Sequence, residues 1–484
     1  MLHTPDFVRP RSALLFTWIL AITAQFDHSS GPLAKRLRLH GEKLSKHVHS
    51  CGYKSVEIAQ GYYISLLAAV PANTLAEEHA WIYTNYLLGM ISDLGLDNPS
   101  SPSDSTRPAG NPEPDLASQH EELLRNPCEA RLIRNRERTW FRIVLWERAH
   151  SAARGKVTPF PENDLTRRVQ DWWRHPLADP TDRYTSGFVI LRRNLAMLYQ
   201  KVKERFGRPD NARHWVRDLV DSTLDPWRRE WITEAPAATT TADHMRNLFL
   251  HYVYMHGRLW TLSFALHDPS NNAQDSDATR DDCFEAAVNC CEVTIRDLRE
   301  IGEPMYCLMA PTWAMSSYAA VLALKLFPQL YGDRPGQQVE LLAMLAEVAL
   351  QLERAGTTPC HRFGVAALLG QHLFIVLRKQ LRVLKNEATA SGVDATATSG
   401  QSMTEFGNFL SGSNNGGAEN LAGPSNGTVG FPDGQQVTEL STGYSDPFLF
   451  DGLSPGGAGA LQDAFTDMMR EWGGPPFDFD GVYY

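Results

Sequence analysis

The sequence has few cysteines, and they are not arranged in pairs. Its 484 residues include seven cysteines, an odd number, and no two of them have the Cys-x-x-Cys spacing. Disulfide scaffolds use even sets of closely spaced cysteines, and structural zinc sites use paired ligands. We therefore expect neither kind of site and place the chain in a reducing intracellular compartment.

Long hydrophobic runs are also missing. The longest run, Ala13 to Phe26, covers about 14 residues and contains Thr17, Thr23 and Gln25, whereas a bilayer span needs roughly 20 apolar residues. The first residues lack the basic segment of a secretory signal. We therefore expect a soluble protein without a membrane segment.

Alternating strand patterns are almost absent, while helical spacing is common from Phe7 to about Lys385. Apolar residues recur at steps of three and four, and Gly, Pro or polar residues separate the periodic stretches. This pattern predicts an all-α body, residues 1–385, with an exposed loop at 97–117. Helices are predicted at 10–26, 31–50, 54–70, 75–94, 164–173, 185–206, 212–232 with a break near Pro226, 243–267, 279–301, 310–327, 337–354 and 365–384.

The stretch 133–155 predicts a long helix that is buried on more than one side. Glu137 and Arg148 fall on its apolar face and need polar partners there. Gly155 stands where the helix would end. The apolar residues that this spacing brings together are Ile133, Trp140, Phe141, Val144, Leu145 and Ala152, with Ile143 and Trp146 extending the surface.

Negative charge is concentrated at the carboxyl end. The net charge is -10, but residues 387–484 contain 13 acidic residues against the single Arg470, which leaves the body near +2. Residues 386–442 are rich in Ser, Gly, Asn and Thr and cannot bury enough apolar surface to fold, so we expect a disordered linker.

Aromatic and acidic residues alternate in the last segment, 443–484. Acidic neighbours keep such hydrophobes hydrated until a partner groove accepts them, which is typical of activation segments that bind transcriptional coactivators. The alternative is a solubilising extension with no partner. The apolar residues expected to make the contact are Phe448, Phe450, Leu461, Phe465, Trp472, Phe477 and Phe479.

Catalytic motifs are scarce: the chain has no phosphate-binding Gly-x-x-x-x-Gly-Lys frame and no Gly-x-Ser-x-Gly elbow. The one cluster that suggests chemistry is Asp281, Asp282 and Glu285, because carboxylates on one helix could hold magnesium and a diphosphate. An isoprenoid-type enzyme is therefore the alternative function. The structural interpretation is that these acids favour a helix N-terminus, and we expect no enzyme activity.

Basic residues at 35–40 and along 136–154 raise the question of nucleic-acid contact, which needs clustered cations. They alternate with apolar residues at core spacing and are offset by Glu42, Glu137 and Glu147. Because the body is nearly neutral, solvated helix faces are the better interpretation.

Two segments carry recognisable motifs: residues 81–96 have a helical pattern that ends in Leu94-Gly95-Leu96, and residues from Arg136 onward read Arg-x-Arg-Thr-Trp. Both segments resemble the regulatory middle region of fungal binuclear zinc-cluster transcription factors, which has a helix ending in a Leu-Gly-Leu turn and an Arg-x-Arg-Thr-Trp helix. The sequence departs from the pattern at Glu147, where Asp is common, and at Lys156-Val157, where Arg-Pro is common. The residues that match by position are Arg138, Thr139, Trp140, Glu147, Arg148 and Gly155.

The resemblance implies a nuclear regulator of RNA polymerase II transcription with a helical regulatory domain. It also suggests a small-molecule effector and a homodimer or a heterodimer with a DNA-binding regulator. Members usually read DNA through an N-terminal six-cysteine zinc cluster, whereas the seven cysteines of this sequence are too scattered to hold two zinc ions in that way. We therefore expect no cofactor and no direct DNA binding, either because the gene model is truncated or because a partner binds DNA. A third alternative is a purely structural interaction protein.

Overall fold

The protein was analysed as a computed structural model. It describes residues 3–67, 80–96, 127–153, 163–205, 214–235, 237–238, 240–267, 273–297, 310–332, 334–362 and 364–390. Within these ranges every regular element is helical. The helices, in chain order, are α1 (Pro5–Val8), α2 (Ala13–Gln25), α3 (Gly31–Cys51), α4 (Val56–Leu67), α5 (Ala80–Asp93), α6 (Pro127–Ala153), α7 (Asp164–Arg167), α8 (Val169–Trp172), α9 (Pro180–Arg205), α10 (Trp215–Arg228), α11 (Thr241–Ser263), α12 (Ala273–Glu292), α13 (Ala310–Tyr331), α14 (Pro335–Thr357) and α15 (Val365–Ala390).

Consecutive helices mostly pack against each other. α2 contacts α3 and α4, α4 contacts α5, and both α4 and α5 contact α6. α9 packs against α6, α10 and α11, while α11 to α15 form a second series of contacts that ends in the α14–α15 pair. One continuous cluster of buried apolar side chains runs from Leu14 in α2 to Leu384 in α15. The all-α prediction is confirmed, and α6 lies between the amino-terminal helices and α9.

Several predicted helix boundaries differ in the structure, among them those of α9 and α10. α10 does not break near Pro226 but runs through it and continues as a π-helix, Arg229–Thr233. A proline removes one backbone hydrogen-bond donor, and here the wider turns of the π-helix begin within a few residues of Pro226. α9 begins at Pro180 instead of residue 185, because Asp179 accepts the backbone N–H of Thr181 at 2.9 Å and caps the helix.

The Leu-Gly-Leu turn after α5 has the geometry that its sequence suggests. Gly95 has φ of 61°, a left-handed conformation that glycine adopts without a steric cost. The backbone N–H of Gly95 donates to Ser92 O at 2.9 Å, and that of Leu96 donates to Ile91 O at 3.0 Å, which is the Schellman pattern. Leu96 is thereby turned into the core, where it is 2% exposed.

Several predictions lie outside the described residues. They concern the loop at 97–117, Gly155, the linker from 391 to 442 and the segment 443–484 with its aromatic residues. The last helix passes residue 385 and ends at Ala390. No helix among the described residues is long and apolar enough to cross a membrane.

His256 in α11 makes the stability of the fold sensitive to acid. Its side chain is 3% exposed, its Nε2 atom has no hydrogen-bond partner among the described residues, and its ring lies 4.3 Å from that of Tyr252. Burial lowers the pKa of His256 to about 3 from an ordinary value of 6.5. The unfolded chain therefore binds a proton between about pH 6.5 and pH 3 that the folded chain excludes, and stability falls as the pH is lowered through this range.

We expect His256→Phe to remove this contribution. From pH 7 to pH 5 the wild type should lose about 2 kcal/mol more of its free energy of unfolding than the variant. Urea denaturation across the pH range measures the difference. The prediction would be contradicted if the free energy of unfolding changed with pH in the same way for the two proteins.

Candidate functional site

Helix α6, which carries the family-like motif, is buried on more than one side, as predicted. Trp140 and Phe141 face the core at 1% and 0% exposure, and Ile143 and Trp146 are buried further round the helix. Val144 is also buried, and Leu145 is partly buried. A helix enclosed in this way acts as a central packing element.

A buried carboxylate, Asp182 in the first turn of α9, binds two arginines of α6. Arg138 donates from Nε to Oδ1 at 2.7 Å and from Nη2 to Oδ2 at 2.8 Å, a bidentate pair. Arg134 donates from Nη2 to Oδ2 at 3.0 Å. The side chains of Asp182 and Arg134 are 1% and 4% exposed. Arg138 of the Arg-x-Arg pattern and Arg134, which lies one turn earlier in α6, therefore fasten α6 to the start of α9.

Backbone groups complete this polar cluster. Arg134 also donates to the carbonyl oxygen of Trp172 at 3.0 Å, and Arg138 donates to that of Leu177 at 2.9 Å. The Arg134 guanidinium lies 3.9 Å from the centre of a Trp172 ring, which adds a cation–π contact. The loop between α8 and α9 is thus held by the same arginines.

The predicted polar partners of Glu137 are present. Its Oε2 atom accepts from Arg134 Nη1 and from Trp172 Nε1, each at 2.9 Å. This confirms that a charged residue on the apolar side of α6 is compensated by an interhelical contact. Arg148, the other residue predicted to need a partner, is partly buried, and its charge contributes, after burial, to lowering the pKa of Arg192 in α9.

The polar cluster changes the pKa values of the titratable groups in it and beside it. Burial lowers the pKa of Arg134, whereas the hydrogen bonds from Arg138 to Asp182 raise the pKa of Arg138. Burial, and then the charges of the two arginines, lower the pKa of the nearby His175 to about 4. The imidazole of His175 is therefore neutral at physiological pH.

Thr139, another motif residue, joins α6 to α4. It donates from Oγ1 to the carbonyl oxygen of Asn135 at 2.7 Å and accepts from Gln60 Nε2 at 2.8 Å. The same amide nitrogen donates to Asn135 Oδ1 at 3.0 Å. A hydroxyl side chain suits this position because it donates and accepts at once.

The two family-like segments also contact each other. Trp146 Nε1 donates to Thr84 Oγ1 of α5 at 3.1 Å, and Arg136 Nη2 donates to the carbonyl oxygen of Leu94 at 2.7 Å. The second bond satisfies a carbonyl at the end of α5, where no helical donor remains. Residues 81–96 and the motif helix thus form one packed unit. Glu147 is completely buried in it.

The cluster Asp281, Asp282 and Glu285 lies inside α12, which begins at Ala273. The prediction that these acids mark a helix N-terminus was wrong. Asp282 instead accepts from Arg217 Nη1 at 2.5 Å and from His214 Nδ1 at 2.6 Å, one partner on each oxygen. These bonds connect α12 to α10. They favour a structural role for Asp282 over magnesium binding.

The remaining predictions concern the basic face of α3, metal binding and the cysteines. Lys35, Arg36 and Lys43 are exposed on α3, as a solvated helix face predicts. In the described part of the chain, no three His, Cys, Asp or Glu side chains converge to form a metal site. The six described cysteines are free thiols.

Sequence reasoning missed Asp182 and Arg134, the most buried charged residues of the cluster. A signal was available, because Asp179, Pro180 and Asp182 form a typical helix start with an acidic first turn. That signal does not show which basic residues lie opposite the helix start, and Arg134 lies two residues before the motif begins at Arg136.

Comparison with known proteins gives one informative similarity. The chain is 26% identical over 330 residues to Protein priB of the fungus Lentinula edodes; the match covers 67% of this chain and 50% of that protein. The chain thus spans about half the length of the curated relative it matches. No protein-family model matches the chain, and no solved structure does so significantly. The fungal match is consistent with a fungal regulator, although the name of the Lentinula edodes protein states no activity.

Proposed function

We propose that this chain is the regulatory and activating part of a fungal transcriptional regulator that acts in the nucleus on RNA polymerase II transcription. The observation that carries the proposal is the pairing of the two family-like segments: the helix with the Leu-Gly-Leu turn contacts the Arg-x-Arg-Thr-Trp helix through Trp146 and Arg136. The similarity to a fungal protein supports it.

In this proposal α6 serves as a scaffold and has no catalytic role. Asp182 and Glu137, two carboxylates at the motif, are bound by arginines and an indole. Carboxylates whose charges are paired with buried donors in this way hold helices together, whereas a catalytic acid or base must be accessible to a substrate. We propose that this motif is structural and that the protein acts without catalysis.

The segment 443–484 would supply the activating function. Its aromatic residues alternate with acidic ones, so the acids can steer an encounter and the aromatic rings can fill a coactivator groove. DNA contact would come from a partner, as a homo- or heterodimer with a DNA-binding regulator, or from further sequence of a longer polypeptide. A small-molecule effector would act on the helical body.

A tethering experiment tests the proposal. The full chain, fused to a heterologous DNA-binding domain, should activate a reporter gene in fungal cells. Alanine substitution of the aromatic residues should reduce activation at least about tenfold, because buried aromatic anchors contribute most of the binding energy in such contacts. The substituted residues are Phe448, Phe450, Phe465, Trp472, Phe477 and Phe479.

The matched control replaces six Ser or Asn residues of the linker 386–442 with alanine and should keep full activity. Protein levels and nuclear accumulation are compared by immunoblotting of cell fractions. The proposal fails if the wild-type fusion does not activate, or if activation survives the loss of all six aromatic residues.

A further inference from the structure

A histidine and a cysteine lie beside each other on the last turn of α3. His47 and Cys51 are four residues apart, so their side chains project from the same face of the helix. Cys51 Sγ lies 3.8 Å from Nδ1 and 3.9 Å from Nε2 of His47. Both residues are exposed. Small solutes therefore reach the imidazole and the thiol together.

The end of α3 helps to hold this pair in place. Gly52 has φ of 67°, and the backbone N–H of Tyr53 donates to the carbonyl oxygen of Val48 at 3.3 Å. This left-handed ending turns the chain back beside the last helical turn. The Tyr53 ring thereby lies edge-on to the His47 ring, with their centres 6.2 Å apart. The imidazole of His47 thus contacts both an aromatic ring and the thiol.

The distance between the sulfur and the ring nitrogens suits a shared metal ion. Zinc binds a thiolate sulfur at about 2.3 Å and an imidazole nitrogen at about 2.0–2.1 Å in tetrahedral geometry, so two such ligands of one ion lie roughly 3.5 Å apart. The distance from Cys51 Sγ to His47 Nδ1, 3.8 Å, is close to this value. Rotation of either exposed side chain closes the remaining gap. Two histidines at the same four-residue spacing form the helical part of a common zinc motif.

The chemistry of the pair selects the kind of metal. Thiolate and imidazole are ligands for zinc and similar borderline-soft ions, whereas magnesium and calcium need oxygen ligands. Cys51 also differs from the other described cysteines, none of which forms a hydrogen bond with a histidine. Cys128 and Cys360 are exposed thiols as well. They therefore serve as internal comparisons for Cys51.

We propose that His47 and Cys51 chelate a zinc ion, with water completing its coordination. The thiol of Cys51 releases its proton to the solvent as the zinc–sulfur bond forms, and the neutral imidazole binds through the lone pair of one nitrogen. No third ligand converges on the pair in the described ranges of the chain. With about half the ligands of a structural zinc site, we expect a Kd of roughly 1–200 µM. This inference does not depend on the transcriptional role.

Alkylation of the reduced full chain by iodoacetamide, with and without zinc, tests the site. Peptide mass spectrometry gives the reaction rate of each cysteine separately. At about 500 µM zinc and pH 7, the rate at Cys51 should fall at least threefold, because a zinc-bound thiolate is protected and the rate falls by the factor 1 + [Zn]/Kd. The rates at Cys128 and Cys360 should not change. Chelation of the zinc with EDTA should restore the rate at Cys51.

Substitutions at two histidines separate chelation from binding by the thiol alone. His47→Gln should abolish the protection of Cys51 by zinc. The matched control is His49→Gln, which changes another exposed imidazole of α3, one whose ring lies 4.3 Å from that of Tyr86. This control should keep the protection. An unchanged Tm of both variants in EDTA checks that the fold is intact.

Cobalt provides an independent readout, because cobalt bound to a thiolate gains a strong charge-transfer absorption band. The band should appear with the wild type and with His49→Gln, and it should be absent with Cys51→Ser. The proposal is overturned if zinc leaves the alkylation of Cys51 unchanged, or if it protects Cys128 and Cys360 equally. Protection that survives His47→Gln would also reject the chelate.

Discussion

Asp182→Asn should lower the free energy of unfolding by about 3–5 kcal/mol, the usual cost of removing one partner of a buried ion pair. The carboxylate is 1% exposed and binds both Arg134 and Arg138. Asparagine keeps the shape but not the charge, and its amide group brings donors that face guanidinium donors. Arg138 would then lose the carboxylate that it binds, and Arg134 would keep only that of Glu137 at the interface of α6 and α9.

The matched control is Asp171→Asn, which breaks the ion pair of Asp171 with Arg174. Those side chains are 71% and 58% exposed, and an exposed pair contributes at most about 1 kcal/mol. Urea denaturation of both variants gives the comparison. A double variant, Asp182→Asn with Arg138→Gln, should lose less than the sum of the single losses, because the two residues interact directly. Additive losses, or equal losses for Asp182→Asn and the control, would contradict the assigned role.

Gly370→Ala should destabilise the protein by about 3 kcal/mol, at the upper end of the range for overpacking. Gly370 lies in α15, where a Cβ atom would stand 2.6 Å from the carbonyl oxygen of Ala349 and 2.6 Å from the backbone nitrogen of Glu353 in α14. These are backbone atoms of a regular helix and cannot rotate away. The two helices would have to separate, and the small residues around the contact would lose their packing.

Gly89→Ala in α5 is the control, because nothing lies within 4 Å of a Cβ at that position. Alanine is a better helix former than glycine by about 1 kcal/mol, so Gly89→Ala should be neutral or slightly stabilising. The same substitution thus has opposite expected signs at the two sites, measured as shifts in Tm. A stabilising Gly370→Ala would show that α14 and α15 are not packed as closely as described.

Most of the secondary structure could be predicted from the sequence, because three- and four-residue periodicity reports the buried face of each helix directly. The errors came from local features that periodicity ignores. The cap at Asp179 moved the start of α9, and α10 continues through Pro226 because one missing donor does not end a helix whose other bonds remain.

The candidate site was predictable only in part. The sequence correctly indicated that Glu137 needed a polar partner, since a charge on an apolar helix face cannot remain uncompensated. It could not indicate that Arg134 and Trp172 would supply that partner. The pairing of Arg138 with Asp182 joins residues 44 positions apart, and no spacing rule links them.

By itself, the sequence determined the helical class, the burial of α6 and the glycine turn that ends α5, because each depends on residues that are near one another along the chain. Only the tertiary structure decided which charges compensate each other and which glycines allow two helices to touch. These features depend on distances between separate helices, and helical periodicity fixes the face that a residue occupies but not the helix that it meets.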